Sequence, residues 1–181
     1  MKLLRTIRLD PSDTFVFAPA AEPGEWAVSG AFLFWNEEVE GLEGKKLAAF
    51  RGGFLGIQSF GWSTLVQVVE ASDHDRHAAI QILAGHLATR LGAPDRQAAI
   101  AAAEEELDFA SSLCTHPPDT LIAVHRRQED GEIREAFRSL RAKPGEGRSL
   151  RALSFMMEEG EEDEVPPESV DLVALAREAR K

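Results

Sequence analysis

The sequence predicts an α+β fold: a two-layer antiparallel β-sheet with a central helical pair packed on one face and a short C-terminal helix. Three observations predict it. Strand-like segments fill residues 3–70, two helical periods follow over 72–116, and strand-like segments return from residue 120. Strands, then helices, then strands is the α+β order, and the βα alternation that a parallel sheet needs is missing.

Residues 3–9, Leu-Leu-Arg-Thr-Ile-Arg-Leu, read as a strand closed by the turn cluster Asp10-Pro11-Ser12-Asp13. Residues 14–17 read as a second short strand and 26–35 as a third, with Gly30 as its bend. Residues 47–50 and 54–60 read as hairpin arms around Arg51-Gly52-Gly53, and 62–70 extend the sheet. The period then switches. Ser72-Asp-His-Asp75 has the form of a capping box, and Ile80, Leu83, Ala84, Leu87 and Leu91 share one helical face. Gly92 ends that helix and Pro94 opens the next, whose stripe is Ile100, Ala103, Leu107, Ala110 and Cys114. Residues 120–127 form a strand, and Asp130-Gly131 predicts a tight hairpin returning over 133–140. Ile133, Phe137 and Leu140 also match a helical face, so the return arm has two readings, of which the hairpin is preferred. Residues 150–157 read as a last strand.

At 181 residues the chain fits one domain, expected over 1–157, followed by an acidic linker at 158–168 and an amphipathic helix at 169–181. The linker holds seven acidic side chains and no basic one. Residues 169–181 are net +1, so residues 1–157 carry −5 of the total −11. That balance disfavours nucleic acid, whose binding depends on neutralising phosphates, although residues 134–151 are locally net +4. No apolar run approaches the roughly 18 residues of a membrane span. The N-terminus lacks the apolar core of a signal peptide, and the lone Cys114 cannot form an intramolecular disulfide. Together these predict a cytoplasmic protein that binds neither membrane nor nucleic acid and needs no cofactor.

The most informative stretch is 50–70, where four glycines and four large aromatics lead into a β-branched strand. Glycines let backbones approach or bend, and aromatics supply the buried area that steadies the bend. The dinucleotide fingerprint fails because these glycines lead into another strand instead of a helix, and the P-loop fails for want of Gly-Lys-Ser/Thr. Ser59 and Ser63 lack the flanking glycines of a nucleophile elbow. Arg51 beside Gly52 and Gly53 has the makings of an anion clamp on bare backbone, weighed against an ordinary turn arginine. His125, between strand positions, is either a base beside an anion site or a half-exposed strand histidine. Arg51, Gly52, Gly53, Ser59 and His125 are therefore the candidate ligand-binding set. His74, His77, Cys114 and His116 meet if the helices pair antiparallel, but Cys114 lies on the apolar stripe and the ligand count argues against zinc. The acids Glu104, Glu105, Glu106 and Asp108 splay around a helix and read as a solvated face.

The chain resembles a small proteobacterial family of unknown function. The resemblance is carried by Ile7-Arg-Leu-Asp-Pro-Ser-Asp-Thr-Phe-Val-Phe17, Phe54-Leu-Gly-Ile-Gln-Ser-Phe-Gly-Trp-Ser-Thr-Leu65 and Glu129-Asp-Gly-Glu-Ile-Arg-Glu135. It implies no active-site residue, and it places such genes near biotin/lipoate-ligase-like ones.

Two function classes follow. The first is a non-enzymatic accessory or protein-binding module, acting on a protein partner or as a homo-oligomer through an apolar patch drawn from Trp26, Phe32, Phe34, Trp35 and Trp62. The second is a small-molecule enzyme or ligand binder with a cleft along residues 51–61, tied by the resemblance to biotin/lipoate-type metabolism. The second requires Arg51, Ser59 and His125 to converge.

Overall fold

The computed structural model describes residues 1–142 and 155–157. Among these residues eight strands form one sheet in the order β4-β3-β2-β1-β5-β6-β7-β8. They are β1 (Lys2–Ile7), β2 (Trp26–Val28), β3 (Phe54–Gly56), β4 (Trp62–Ser63), β5 (Leu65–Glu70), β6 (Leu121–Glu129), β7 (Glu132–Ala142) and β8 (Phe155–Met157), and every neighbouring pair runs antiparallel. The α-helices among the described residues are α1 (Ser12–Val16), α2 (Gly44–Gly52), α3 (Asp73–Arg90) and α4 (Arg96–Ser112).

The α3–α4 hairpin forms as its local signals require. The Ser72 hydroxyl accepts from the Asp75 N–H while the Asp75 carboxylate accepts from the Ser72 N–H, closing a capping box. Asp95 caps α4 by accepting from the Ala98 N–H at 2.8 Å. Gly92, at φ +68°, supplies the left-handed turn between them. Ala79, Ile80, Leu83, Ala84 and Leu87 of α3 and Ala99, Ala103, Leu107 and Ala110 of α4 are buried. Cys114 is buried beyond the end of α4, and burial pushes its thiol up to about 11, which keeps it an inert core residue. The β6–β7 hairpin turns on Asp130 and Gly131, both at positive φ, as an Asp-Gly turn demands, and residues 133–140 are strand.

Three expectations are corrected. Residues 14–17 are not a strand; they fall largely in α1, whose Asp13 is buried and accepts from the Ser63 hydroxyl, the Thr64 N–H and the Thr64 hydroxyl at 3.3, 3.2 and 2.6 Å. A one-turn helix is held there by tertiary contacts that no local pattern encodes. Residues 47–50 are not a hairpin arm but the second half of α2, whose last carbonyls meet a buried arginine described below. The run 26–35 stops as a strand at Val28. Gly30, at φ +80°, turns it into a 3-10 helix over Ala31–Phe34, because a side chain at Gly30 would meet Leu55 and Trp62 within 3 Å.

The glycine-rich stretch does bring backbones together. A Cβ at Gly61 would lie 2.6 Å from the Ala20 carbonyl carbon. Buried Glu25 closes the same corner, accepting from the Gln58 and Ser59 N–H groups at 2.8 Å and from the Ser59 hydroxyl at 2.6 Å. The last strand is described only over Phe155–Met157, and the expected linker at 158–168 and helix at 169–181 lie outside the described residues. Among the described residues no helix is long and apolar enough to cross a membrane.

A candidate binding cleft beside a buried arginine

Strand β6 alternates Ile122, Val124 and Arg126 on its buried face, and Arg126 is only 1% exposed. A guanidinium stripped of water must satisfy its donors and its charge. Arg126 does both. Nε donates to Glu135 Oε1 at 2.6 Å, an ion pair across the directly opposed residues of β6 and β7. Nη1 donates to the carbonyls of Phe50 and Gly53 at 3.1 and 2.7 Å, and Nη2 donates to the Ser29 carbonyl. The cation thus closes the C-terminal end of α2, where the orphan carbonyls and the negative end of the helix dipole gather. The Ser29 hydroxyl completes the ring by donating to Glu135.

Glu106, on α4, belongs to the same electrostatic neighbourhood. It is half-buried and makes no hydrogen bond or ion pair among the described residues. Burial first, then the Glu135 carboxylate, push its pKa up to about 7, with Arg126 opposing and Glu105 adding a smaller push. The attraction of Arg126 is outweighed by the repulsion of the Glu135 carboxylate paired with it.

Glu106 also lines a cleft of about 390 Å³. One wall is Phe32 and Trp35 from the 3-10 helix and the residue that follows it. The other is Leu87 and Leu91 from α3, the Ala93-Pro94 turn, and Ala98 and Ala102 from α4, with Glu105 beside Glu106. Its volume falls in the range of small-molecule sites, roughly 300–1,000 Å³. Trp35 is 70% exposed and Leu91 47% exposed, although both line an apolar surface. A second cleft, of about 320 Å³, lies across the 3-10 helix and is lined by Leu33, Phe34, Trp62, Lys45 and Lys46 among others. Its lysines are engaged: Lys46 pairs with Glu37 at 2.8 Å, and Lys45 reaches the Phe17 carbonyl.

The five residues singled out from the sequence lie elsewhere. Arg51 is exposed at the end of α2. Gly52 sits 3.7 Å from the Val124 carbonyl, measured from the position a Cβ would take, and Gly53 packs on Trp62 and Ala49. The Ser59 hydroxyl is held by Glu25, and His125 is exposed on the face of β6 opposite Arg126. None of the five lines either cleft. Of the expected aromatic patch, only Trp35 is exposed and Phe32 half-exposed. Phe34 and Trp62 are buried, and Trp26 lies under the Arg5 guanidinium at 4.1 Å. The solvated reading of the acids on α4 holds for Glu104, Glu105 and Asp108, which are exposed, and is corrected for Glu106, which is half-buried. Among the described residues no group of three or more His, Cys, Asp or Glu side chains is placed to hold a metal ion.

Sequence reasoning missed Arg126 and Glu135 and took Glu106 for a solvated acid, although Arg126 and Glu106 each leave a signal; Trp35 and Phe32 both belong to the expected apolar patch. Arg126 is in phase with Ile122 and Val124, which marks it for the buried face. Glu106 sits three residues after Ala103 and four before Ala110, on the helix's own apolar stripe.

Two of the stretches that carried the resemblance meet in space, Asp13 of the first accepting from Ser63 and Thr64 of the second. The chain matches the family of unknown function DUF6505 over residues 1–154 and belongs to that family. No curated protein and no solved structure matches it.

Proposed function

We propose that the protein is a non-enzymatic binding module whose working surface is the cleft between the 3-10 helix and the α3–α4 hairpin. One observation carries the reading: Trp35 stands in water at the lip of a concave apolar surface that already contains Phe32, Leu87 and Leu91. An exposed aromatic beside an apolar hollow leaves buriable area for an occupant to cover. Binding is favoured over catalysis because, among the described residues, Glu105 and Glu106 are the only ionisable side chains lining the cleft. A general acid needs a second group set on the reacting atoms. The reading takes residues 1–157 as one two-layer α+β domain. Its support is that Arg126 and Phe137 project from the same face of β6 and β7 and reach α2 and α4, the latter through Phe109 at 5.9 Å. A cytoplasmic setting suits the free, buried Cys114.

The test is titration with Nile red, a neutral apolar dye, read by its fluorescence. The wild type is expected to bind saturably, and Trp35→Ala and Leu91→Gln to lose binding while keeping their urea midpoints. Binding undiminished in both variants would refute the reading.

A further inference from the structure

Resting on that reading of the cleft, we infer that its occupant is an apolar organic cation, a hydrocarbon or aromatic body carrying one protonated amine that meets Glu106. The walls supply the apolar contact. Among the described residues the ionisable groups on the lining are both acidic, namely Glu105 and Glu106.

The charges behind the wall reinforce that sign. The charged groups that act on Glu106 are Glu135 from β7, Arg126 from β6 and Glu105 on its own helix. Arg126 and Glu135 neutralise each other at 2.6 Å, and the remaining guanidinium donors go to the carbonyls of Phe50, Gly53 and Ser29. Among the described residues Glu106 therefore makes no ion pair, and the one cation acting on it is already paired with Glu135. An ammonium group seated in the cleft provides a partner, in a setting where a charge-assisted hydrogen bond is stronger than in water. Phe32 and Trp35 line the same cleft, and aromatic faces attract cations while being indifferent to neutral polar groups and unfavourable to anions. At pH 8, where Glu106 is mostly ionised, an apolar carboxylate would add a third negative charge beside Glu105 and Glu106.

Ammonium binding draws Glu106 toward its ionised form, so the occupied protein releases a proton. With Glu106 pushed up to about 7 in the empty cleft, its ionised fraction changes about tenfold between pH 6 and pH 8, and affinity for the amine changes with it.

The experiment compares octylamine, octanol and octanoate, matched in chain length, by isothermal titration calorimetry with the full chain at pH 6 and pH 8. Octylamine remains protonated at both, as a lysine-like amine does. Octylamine is expected to bind at least about tenfold tighter than octanol at pH 8 and about tenfold weaker at pH 6 than at pH 8, while octanol affinity stays level. Glu106→Gln is expected to remove both the preference and the pH dependence. Octanol binding as tightly as octylamine at pH 8 would overturn the cation inference and leave the cleft reading standing. Failure of all three to bind would overturn both. The wild-type comparison stands whatever the variant's stability.

Discussion

Replacing Glu106 by Gln should make the protein more stable at pH 8 and remove a pH dependence that the wild type carries. The wild-type carboxyl rises from a model-peptide value of 4.5 to about 7 on folding. A carboxyl with a raised folded-state pKa binds more protons in the native than in the unfolded state between those values, so stability falls as pH climbs through that window. Each unit corresponds to about 1.4 kcal/mol, which sets an upper figure of roughly 3 kcal/mol for the penalty above pH 8. Glu106 keeps part of its surface in water, so solvent screening brings the expectation to about 1–3 kcal/mol. Urea denaturation of both proteins at pH 5, 6, 7 and 8 checks it, with equal m-values confirming that the same surface unfolds. The stability difference should be small at pH 5 and grow to its full value by pH 8. A difference that is level across that range would refute the electrostatic account of Glu106.

Further expectations concern the buried polar groups that hold the sheet's corners. Arg126→Met should destabilise by about 3–5 kcal/mol in chemical denaturation, because it strands Glu135 and the α2 carbonyls, and Arg126→Met/Glu135→Leu should recover a good part of that loss. Asp13→Ala should lower stability by about 2–3 kcal/mol, since the Ser63 and Thr64 donors lose their acceptor, and α1 should exchange its amide protons faster. Gly61→Ala should cost about 1–3 kcal/mol in thermal denaturation, as the new methyl would press on the Ala20 backbone.

The elements legible in the sequence are those whose causes are local. The Ser72 capping box, the Asp95 cap, Gly92 and the Asp130-Gly131 turn each fix a boundary by hydrogen bonds or φ values within a few residues. The α1 and α2 helices were illegible for the opposite reason. Residues 14–17 carry a β-branched, aromatic pattern, and it is the buried Asp13 carboxylate, bound 50 residues away, that holds the helical turn. The run 47–50 is too short for its period to separate strand from helix, and Arg126 closes that helix from the far end of the chain. The site was partly written in the pattern, because Arg126 and Glu106 both occupy core-facing phases. Polar identity masked them: an arginine between His125 and Arg127, and one acid among Glu104, Glu105 and Asp108, read as surface until the strand and helix phases are counted. Trp35 and Phe32 enter the expected patch simply as aromatics; which of the five stays exposed follows from the 3-10 helix over Ala31–Phe34 and from packing beside α3, neither of which is local in the sequence.

The most direct test of the cleft as the binding surface is to follow backbone amide shifts of isotopically labelled protein during titration with octylamine at pH 8. The account predicts saturable shifts concentrated on Phe32–Trp35, Leu87–Pro94 and Ala98–Glu106, sharing one dissociation constant. Shifts centred instead on Lys45, Lys46 and Trp62, or spread without saturation over the surface, would contradict it.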